Sequence, residues 1–205
     1  MYKSQEFLDR VEVVLSGDAQ VTFIQEPLQE VASRMSQQLD LPIIIDERSL
    51  DEIGLPIDEP MSADFGTLPA YDLFSLLLQR YDITLTVRHK VVVITTMEAA
   101  EDSLLTRIYW LEGMGINGDF DSLMSMIEAT IAPDLWEALG GSSTMVPASG
   151  SRPGLVVSTT YEMHREIEQL LQTLRENSFR LDGVSEEIEV AVPVATPPAG
   201  GGGFM

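Results

Sequence analysis

The 205-residue sequence contains no cysteine, which excludes disulfides, thiolate nucleophiles and cysteine metal sites. Basic residues are also scarce: 12 Lys and Arg stand against 33 Asp and Glu, and the formal net charge is −21. Binding to a nucleic-acid backbone or to an anionic membrane surface needs clustered Lys and Arg. We therefore expect no nucleic-acid partner. A run of about 20 apolar residues, the length that crosses a bilayer, is missing too, so we expect no membrane insertion.

Histidine is almost absent as well. His89 stands between Arg88 and Lys90 in a predicted hairpin turn, and His164 lies at the start of the last predicted helix. Neither has a Ser, Thr or Asp at the spacing of a known catalytic triad, so we expect two ordinary exposed histidines. Without a nucleophile–base pair, we predict that the protein is not an enzyme and has no catalytic residue, no cofactor-binding residue and no cofactor.

The first half of the chain repeats one pattern of strand, helix and strand. In the first copy, a strand at 21–25 precedes a helix whose apolar residues follow the helical period from Leu28 to Leu39. Pro27 suits the first turn of that helix. The helix leads into the fully apolar strand 42–46, a composition that favours a central position in a sheet. A short helix at 4–16 precedes this unit.

The second copy has a strand at 61–65, a helix at 70–81, and a hairpin of strands 83–87 and 91–95 with a short polar turn. We expect the two copies to share one sheet. We expect the two helices to contribute Leu28, Val31, Met35, Leu73 and Leu77 to a core with Val21, Phe23, Ile44, Leu85, Val92 and Ile94.

The second half begins with a predicted strand at 105–111 and a helix from Phe120 to Ile131. A hairpin of strands 144–148 and 154–158 follows, and the last helix has its apolar stripe from Met163 to about Asn177. Because helices and strands of mixed direction alternate here as in the first half, the sequence predicts the α+β class.

We predict two small β/α modules, each a short mixed sheet with two helices packed on it. The acidic stretch 97–104 separates two complete apolar patterns, and this predicts two separate cores. The predicted divisions are an N-terminal helical adaptor at 1–18, a first module at 19–96, a second module at 105–178 and a flexible Pro/Gly-rich tail at 179–205.

Seven carboxylates cluster in a predicted loop at 46–64, and Ca²⁺ favours clustered carboxylates. Their spacing does not match an EF-hand, and Gly54 is out of register for one. We interpret the segment as a solvated acidic loop and expect no structural metal. A small hydrolase or a calcium-dependent protein that uses this loop is the alternative. The carboxylates are Asp46, Glu47, Asp51, Glu52, Asp58, Glu59 and Asp64.

A Gly-x-Gly-x-x-Gly run at 113–118 lies between a predicted strand and a predicted helix, in the register of a dinucleotide-binding fingerprint. No longer βαβ series surrounds the run, so we interpret it as a plain loop. Tyr109, Trp110 and Trp136 could line a binding face, but aromatic residues in strands and helices pack into cores more often, and we expect core positions.

The first module resembles the STN domain, the short N-terminal domain shared by secretins and TonB-dependent receptors. The second module is similar to a secretin N-domain repeat. For the STN domain the matching residues are Val21 to Phe23, Pro27 to Val31, Pro42 to Asp46, Ile83 to Val87 and Val91 to Thr95. For the secretin repeat they are the opening Thr106 to Tyr109, the inner strand Leu155 to Ser158 and the closing helix Glu162 to Leu174.

This resemblance implies a non-catalytic, acidic module for protein–protein interaction or assembly in the bacterial periplasm or cell envelope. Its expected partners are proteins, with self-association as a further option, and sheet edges or module faces are the expected contact surfaces. Residues 1–16 lack the basic-then-apolar pattern of a signal peptide. On that ground we expect either a cytoplasmic protein or a fragment without its targeting segment.

Overall fold

The computed structural model describes residues 2–112, 114, 119–148 and 152–184, and the side chains from 6 to 177 within those ranges. The fold is α+β, as the sequence predicts. Its elements are α1 (Tyr2–Ser16), β1 (Asp18–Pro27), α2 (Leu28–Leu39), β2 (Ile43–Ile45), α3 (Glu47–Glu52), β3 (Pro60–Pro69), α4 (Ala70–Leu78), β4 (Ile83–Arg88), β5 (Val91–Thr96), α5 (Met97–Glu101), β6 (Leu105–Trp110), α6 (Phe120–Thr130), β7 (Thr144–Ala148), β8 (Gly154–Thr159) and α7 (Tyr161–Val184).

The strands of the first half form two sheets, where the sequence predicts one. β1 pairs antiparallel with β3, while β5 pairs parallel with β2 and antiparallel with β4. Helices α2 and α4 lie between the two sheets and contact both. Two sheets form in place of one because the apolar stripe of α4 is too wide for a single sheet to cover. The buried residues of α4 are Ala70, Leu73, Phe74, Leu77 and Leu78.

The central strand of the second sheet is β5, not β2. Val92, Val93 and Ile94 of β5 are all buried. β2 has only three residues and lies at the edge, where Ile44 is 50% exposed. The predicted central position of strand 42–46 and the predicted core position of Ile44 are therefore wrong. The other predicted core residues of the first half are buried.

Two segments that the sequence suggests are loops contain short helices. Asp46 caps α3 by accepting a hydrogen bond from the backbone N–H of Ser49 at 3.4 Å, so the predicted acidic loop begins as a helix. Thr96 caps α5 in the same way, because its hydroxyl accepts a hydrogen bond from the backbone N–H of Ala99 at 3.2 Å. The predicted linker 97–104 therefore begins with a helix. Asp and Thr are strong N-cap residues, and these caps explain both helices.

The second half forms one antiparallel sheet in the order β6-β8-β7. Residues of α6 and α7, including Ile127 and Ile167, form a core with the inward side chains Leu155 and Val157 of β8. Trp136, from the 3₁₀ turns between α6 and β7, is buried in the same core and donates its indole N–H to the Ile131 carbonyl at 2.7 Å.

The two halves meet at the beginning of α7. Tyr161, the first residue of that helix, is buried in the core of the first half, and Leu105 of β6 packs against the same core. Among the strands that the structure describes, none pairs across 97–104. We propose that the chain forms two modules in contact, with Tyr161 at the contact.

The structure predicts that Leu77→Ala lowers the free energy of unfolding by roughly 2–5 kcal/mol, because Leu77 is fully buried and its loss leaves a cavity. Leu76→Ala is the matched control. Leu76 is the neighbouring residue and 46% exposed, so its loss is expected to cost less than about 1 kcal/mol. Urea denaturation of both variants measures the difference, and equal losses would contradict the packing described here.

Candidate functional site

A charged cluster joins the two halves. Glu12 lies on α1, whose Val11 and Leu15 are buried in the first core. One oxygen of its carboxylate accepts a hydrogen bond from Arg107 on β6 at 3.2 Å. The other oxygen accepts one from Arg165 on α7 at 2.8 Å. A single carboxylate therefore links the first helix to a strand and a helix of the second half.

This cluster is deeply buried for a set of charged groups, since the side chain of Arg107 is only 3% exposed. Arg107 also donates to Glu168 of α7 at 3.2 Å. Burial acts to lower the pKa of Arg107, but Tyr109 and the carboxylates of Glu12 and Glu168 outweigh it and raise that pKa. The guanidinium stays charged, so removal of both Glu12 and Glu168 would leave an uncompensated buried charge, at a cost of about 3–5 kcal/mol.

Two tyrosines extend the cluster into the first core. The guanidinium carbon of Arg165 lies 3.9 Å from the centre of the Tyr71 ring, which places the cation over the aromatic face. The Tyr71 ring lies 6.3 Å from that of Tyr161. Arg165 therefore contacts both the carboxylate and the aromatic side of the junction, and the orientation of α7 is fixed at its first turns.

His164 is fully buried, so the prediction of an exposed histidine is wrong for this residue. Its Nε2 lies 2.8 Å from the Leu105 carbonyl oxygen, and its Nδ1 lies 2.7 Å from the Tyr109 hydroxyl. A carbonyl only accepts, so Nε2 carries the proton of the neutral ring and Nδ1 accepts from Tyr109. Burial lowers the pKa of His164 to about 4; the bond to Leu105 opposes this, and the Arg107 charge adds to it.

The sequence did hold a signal for the burial of His164, because it lies on the same helical face as Ile167 and Leu171. A polar residue on an apolar stripe is buried when partners for its hydrogen bonds are at hand. Here both partners come from β6, some 55 to 59 residues away. His89 is exposed in the β4–β5 turn.

The outer face of the sheet formed by β6, β8 and β7 carries an apolar row beside a polar one, in which Thr106 donates to Ser158 at 3.3 Å. Along β6 the side chains alternate, with Arg107 and Tyr109 turned to the core and the residues between them turned outward. Ile108 is paired with Val156, which in turn is paired with Val146, so three apolar side chains form one row across the sheet. We name this surface the outer apolar face; it consists of Ile108 (44% exposed), Trp110 (43%), Val146 (54%) and the half-buried Val156.

The edges of this sheet differ. Leu111 N–H donates to Pro153 O, so the odd-numbered residues of β6 bond to β8 and the backbone groups of Thr106 and Ile108 point away from the sheet. No described strand pairs with that side of β6. On the opposite edge, β7 carries Pro147, which has no N–H to donate, so this edge is closed to an added strand.

The predicted aromatic positions are partly correct. Trp136 and Tyr109 are buried in the second core, as expected. Trp110 is exposed instead, because it follows Tyr109 on a strand and so points to the opposite face. The guanidinium carbon of Arg152 lies 4.8 Å from the centre of the Trp110 ring, and Arg152 also forms an ion pair with Glu112.

The glycine run at 113–118 lies outside the described residues, except for Met114.

Within the described part of the chain, no group of three or more His, Asp or Glu side chains could hold a metal ion. Of the seven clustered carboxylates, Asp46 has the clearest structural role. Partial burial acts to raise its pKa, but the hydrogen bonds from Ser49 and Thr95 and the Arg88 charge outweigh burial and lower that pKa. No helix in the described ranges has the length and apolar character needed to span a membrane.

No protein-family model matches the sequence, and a search of curated proteins gives no match. Solved structures of secretion machinery are similar at a low level. The first is described as the Salmonella SPI-1 type III secretion injectisome basal body proteins InvG, PrgH and PrgK. Its TM-score is 0.31 at 11% identity, over 80% of this chain and 29% of that chain. The chain therefore spans less than a third of the length of that match.

Two further structures are similar to the same degree. A focussed refinement of InvGN0N1:SpaPQR:PrgHK from the Salmonella SPI-1 injectisome gives a TM-score of 0.30 at 10% identity, over 78% of this chain and 96% of that chain. The crystal structure of the enterotoxigenic Escherichia coli GspC–GspD complex from the type II secretion system gives 0.29 at 11%, over 78% and 99%. TM-scores of this size do not establish a shared fold or function.

The burial of His164 predicts a pH dependence of stability. Its pKa is about 4 in the folded state and near 6.5 when unfolded, so the unfolded chain binds the proton more tightly. The contribution of the neutral ring is complete above about pH 6.5 and is lost as the pH falls towards 4. Between about pH 7 and pH 5 we expect a loss of roughly 2 kcal/mol from this residue.

Denaturation of the wild-type chain, of His164→Gln and of His89→Gln across that pH range measures the effect. The His164 variant is expected to be less stable at neutral pH but to lose the histidine-dependent slope. His89→Gln, altered at the exposed histidine, is expected to keep the wild-type slope. If the wild-type chain and His164→Gln lose stability in parallel, the neutral buried imidazole is refuted.

Proposed function

We propose that the protein is a non-catalytic interaction module of a bacterial cell envelope that binds another protein through the outer apolar face and the open β6 edge. The observation that carries the proposal is the apolar row across the sheet, in which Ile108 and Val146 are exposed and Val156 between them is half-buried. Contiguous exposed apolar surface of this kind is typical of contact sites. The envelope location rests on the resemblance of residues 21–178 to STN and secretin N-domains.

The arrangement favours strand addition at β6. A partner segment in extended conformation would bond to the outward backbone groups of Thr106 and Ile108, and its alternate side chains would lie on the outer apolar face. Main-chain hydrogen bonds give such contacts their affinity, and the side-chain row gives them their register. Because Pro147 closes the β7 edge, the addition is directed to one side of the sheet.

The charge of the chain favours a basic partner over a second copy. With a net charge of −21, two copies repel each other at low salt. A partner with Lys and Arg around an apolar strand would be attracted instead, and its charges would mainly raise the association rate. No enzymatic role is part of this proposal.

The test is site-specific photo-crosslinking in the envelope of the native organism. Benzoylphenylalanine at Val146 probes the outer apolar face. The same group at Val13, an exposed apolar residue of α1, is the matched control. The proposal predicts a discrete adduct at Val146 and none of the same mass at Val13.

The partner protein identified in the adduct is then purified without crosslinking, and its affinity for this chain is measured by calorimetry. Ile108→Asp is expected to weaken binding about tenfold or more, because a charge would be buried in the contact. Val13→Asp is expected to change the affinity less than about twofold. Equal effects of the two substitutions would overturn the proposal, as would turnover of an ester, phosphate or glycoside substrate by the chain without any adduct.

A further inference from the structure

A second surface lies between the two halves, away from the outer apolar face. β4 and α5 of the first half and the beginning of α7 enclose a crevice of about 230 Å³. Pockets for drug-sized ligands and cofactors have about 300–1,000 Å³. This crevice is therefore sized for one side chain or a small linear molecule.

The mouth of the crevice is acidic. Glu162 and Glu166, one helical turn apart on α7, line it together with Glu101 of α5. No ion pair between described residues includes any of these three carboxylates. Burial raises the pKa of Glu162, and the Glu166 charge raises it further. Like charges one turn apart repel each other, so a cation placed between them would be favourable.

An unpartnered buried hydroxyl lies in the same place. Thr84 and Thr86 share one face of β4, and both line the crevice. Thr86 is 1% exposed, and its hydroxyl has no hydrogen-bond partner among the described residues. An unmade hydrogen bond at a buried group costs about 1–3 kcal/mol, which a ligand that donates to this oxygen would recover.

The remaining lining is mostly apolar and includes Met97, Leu135 and Met163. We propose that this crevice binds a primary ammonium group on an unbranched apolar stem, the chemistry of a lysine side chain or of a free alkyl diamine. The ammonium is a compact charge with three donors, which suits several separate acceptors better than the planar fork of a guanidinium. A metal ion is disfavoured because the described carboxylates do not converge closely enough to hold one.

This inference does not rest on the proposed function, because it concerns a different surface and a ligand of defined chemistry. The probes are Nα-acetyl-lysine methylamide and 1,5-diaminopentane. The control ligand is Nα-acetyl-norleucine methylamide, which has the stem without the ammonium group. Titration at about 0.15 M salt suppresses long-range attraction to the acidic chain.

The readout is the ¹³C-methyl spectrum of the methionines in the full chain. Met97 and Met163 line the crevice, and Met61, buried in the first core, is the internal control. We expect the ammonium probes to shift the methyl signals of Met97 and Met163 and to leave the signal of Met61 unchanged. Stronger binding of the lysine derivative identifies a lysyl side chain as the source, and stronger binding of the diamine identifies a free amine.

Two sets of variants separate a specific site from general charge attraction. Glu162→Gln with Glu166→Gln is expected to weaken binding about tenfold. Asp51→Asn with Glu52→Gln, which removes the same charge from exposed positions on α3, is expected to change it less than about twofold. Equal effects of the two double variants would overturn the proposal.

Thr86→Val tests the hydroxyl. Replacing an unpartnered buried hydroxyl by a methyl group leaves the shape unchanged, so Tm is expected to stay the same or rise. Affinity for the ammonium probes is expected to fall about threefold or more. Unchanged affinity in this variant, or binding of the norleucine derivative as tight as that of the lysine derivative, would refute the assignment.

Discussion

The carboxylate of Glu12, held between two buried guanidinium groups, is the interaction on which the arrangement of the two halves depends. Its contact with Arg107 spans 95 residues and its contact with Arg165 spans 153, so it connects parts of the chain that are far apart in sequence. Burying three charges is costly, and their mutual attraction offsets that cost only when the geometry is good. The value of this cluster lies more in fixing one orientation than in added stability, since an apolar contact would tolerate rotation of α7.

Both candidate surfaces follow from that fixed orientation. With Tyr161 in the first core and Arg165 bonded to Glu12, the first turns of α7 face β4, and the crevice is the space that remains between them. Further along α7, Ile167 and Leu171 are buried against the inner face of the sheet formed by β6, β8 and β7. The outer face of that sheet is left in contact with solvent, so its exposed apolar row is a consequence of where the helix lies.

Helical and alternating periodicity is sufficient to predict the longer helices, the strands and the α+β class, because these patterns are local. The short helices α3 and α5 are too short to show a period. Contacts between distant residues left weaker traces. The apolar run 42–46 fits either an edge or a central strand, and only the pairing of β5 with two neighbours decides that Ile44 is exposed. The burial of His164 depends on partners on β6 that lie 55 and 59 residues away in sequence, so local periodicity does not specify them. The outer apolar face was present in the alternation of 105–110, but that pattern alone does not say which face the helices cover.

The two surfaces differ in what they contribute to recognition. Apolar burial on the outer face scales with area and discriminates little between partners. The crevice is selective, because a ligand without a cation leaves the Glu162 and Glu166 charges repelling each other and the Thr86 hydroxyl unpaired. The net charge of −21 acts on both at longer range, by raising the local concentration of basic molecules. A basic partner with an apolar strand and a suitably placed lysine would use the outer apolar face, the crevice and the long-range electrostatic attraction. Salt would weaken only that long-range attraction.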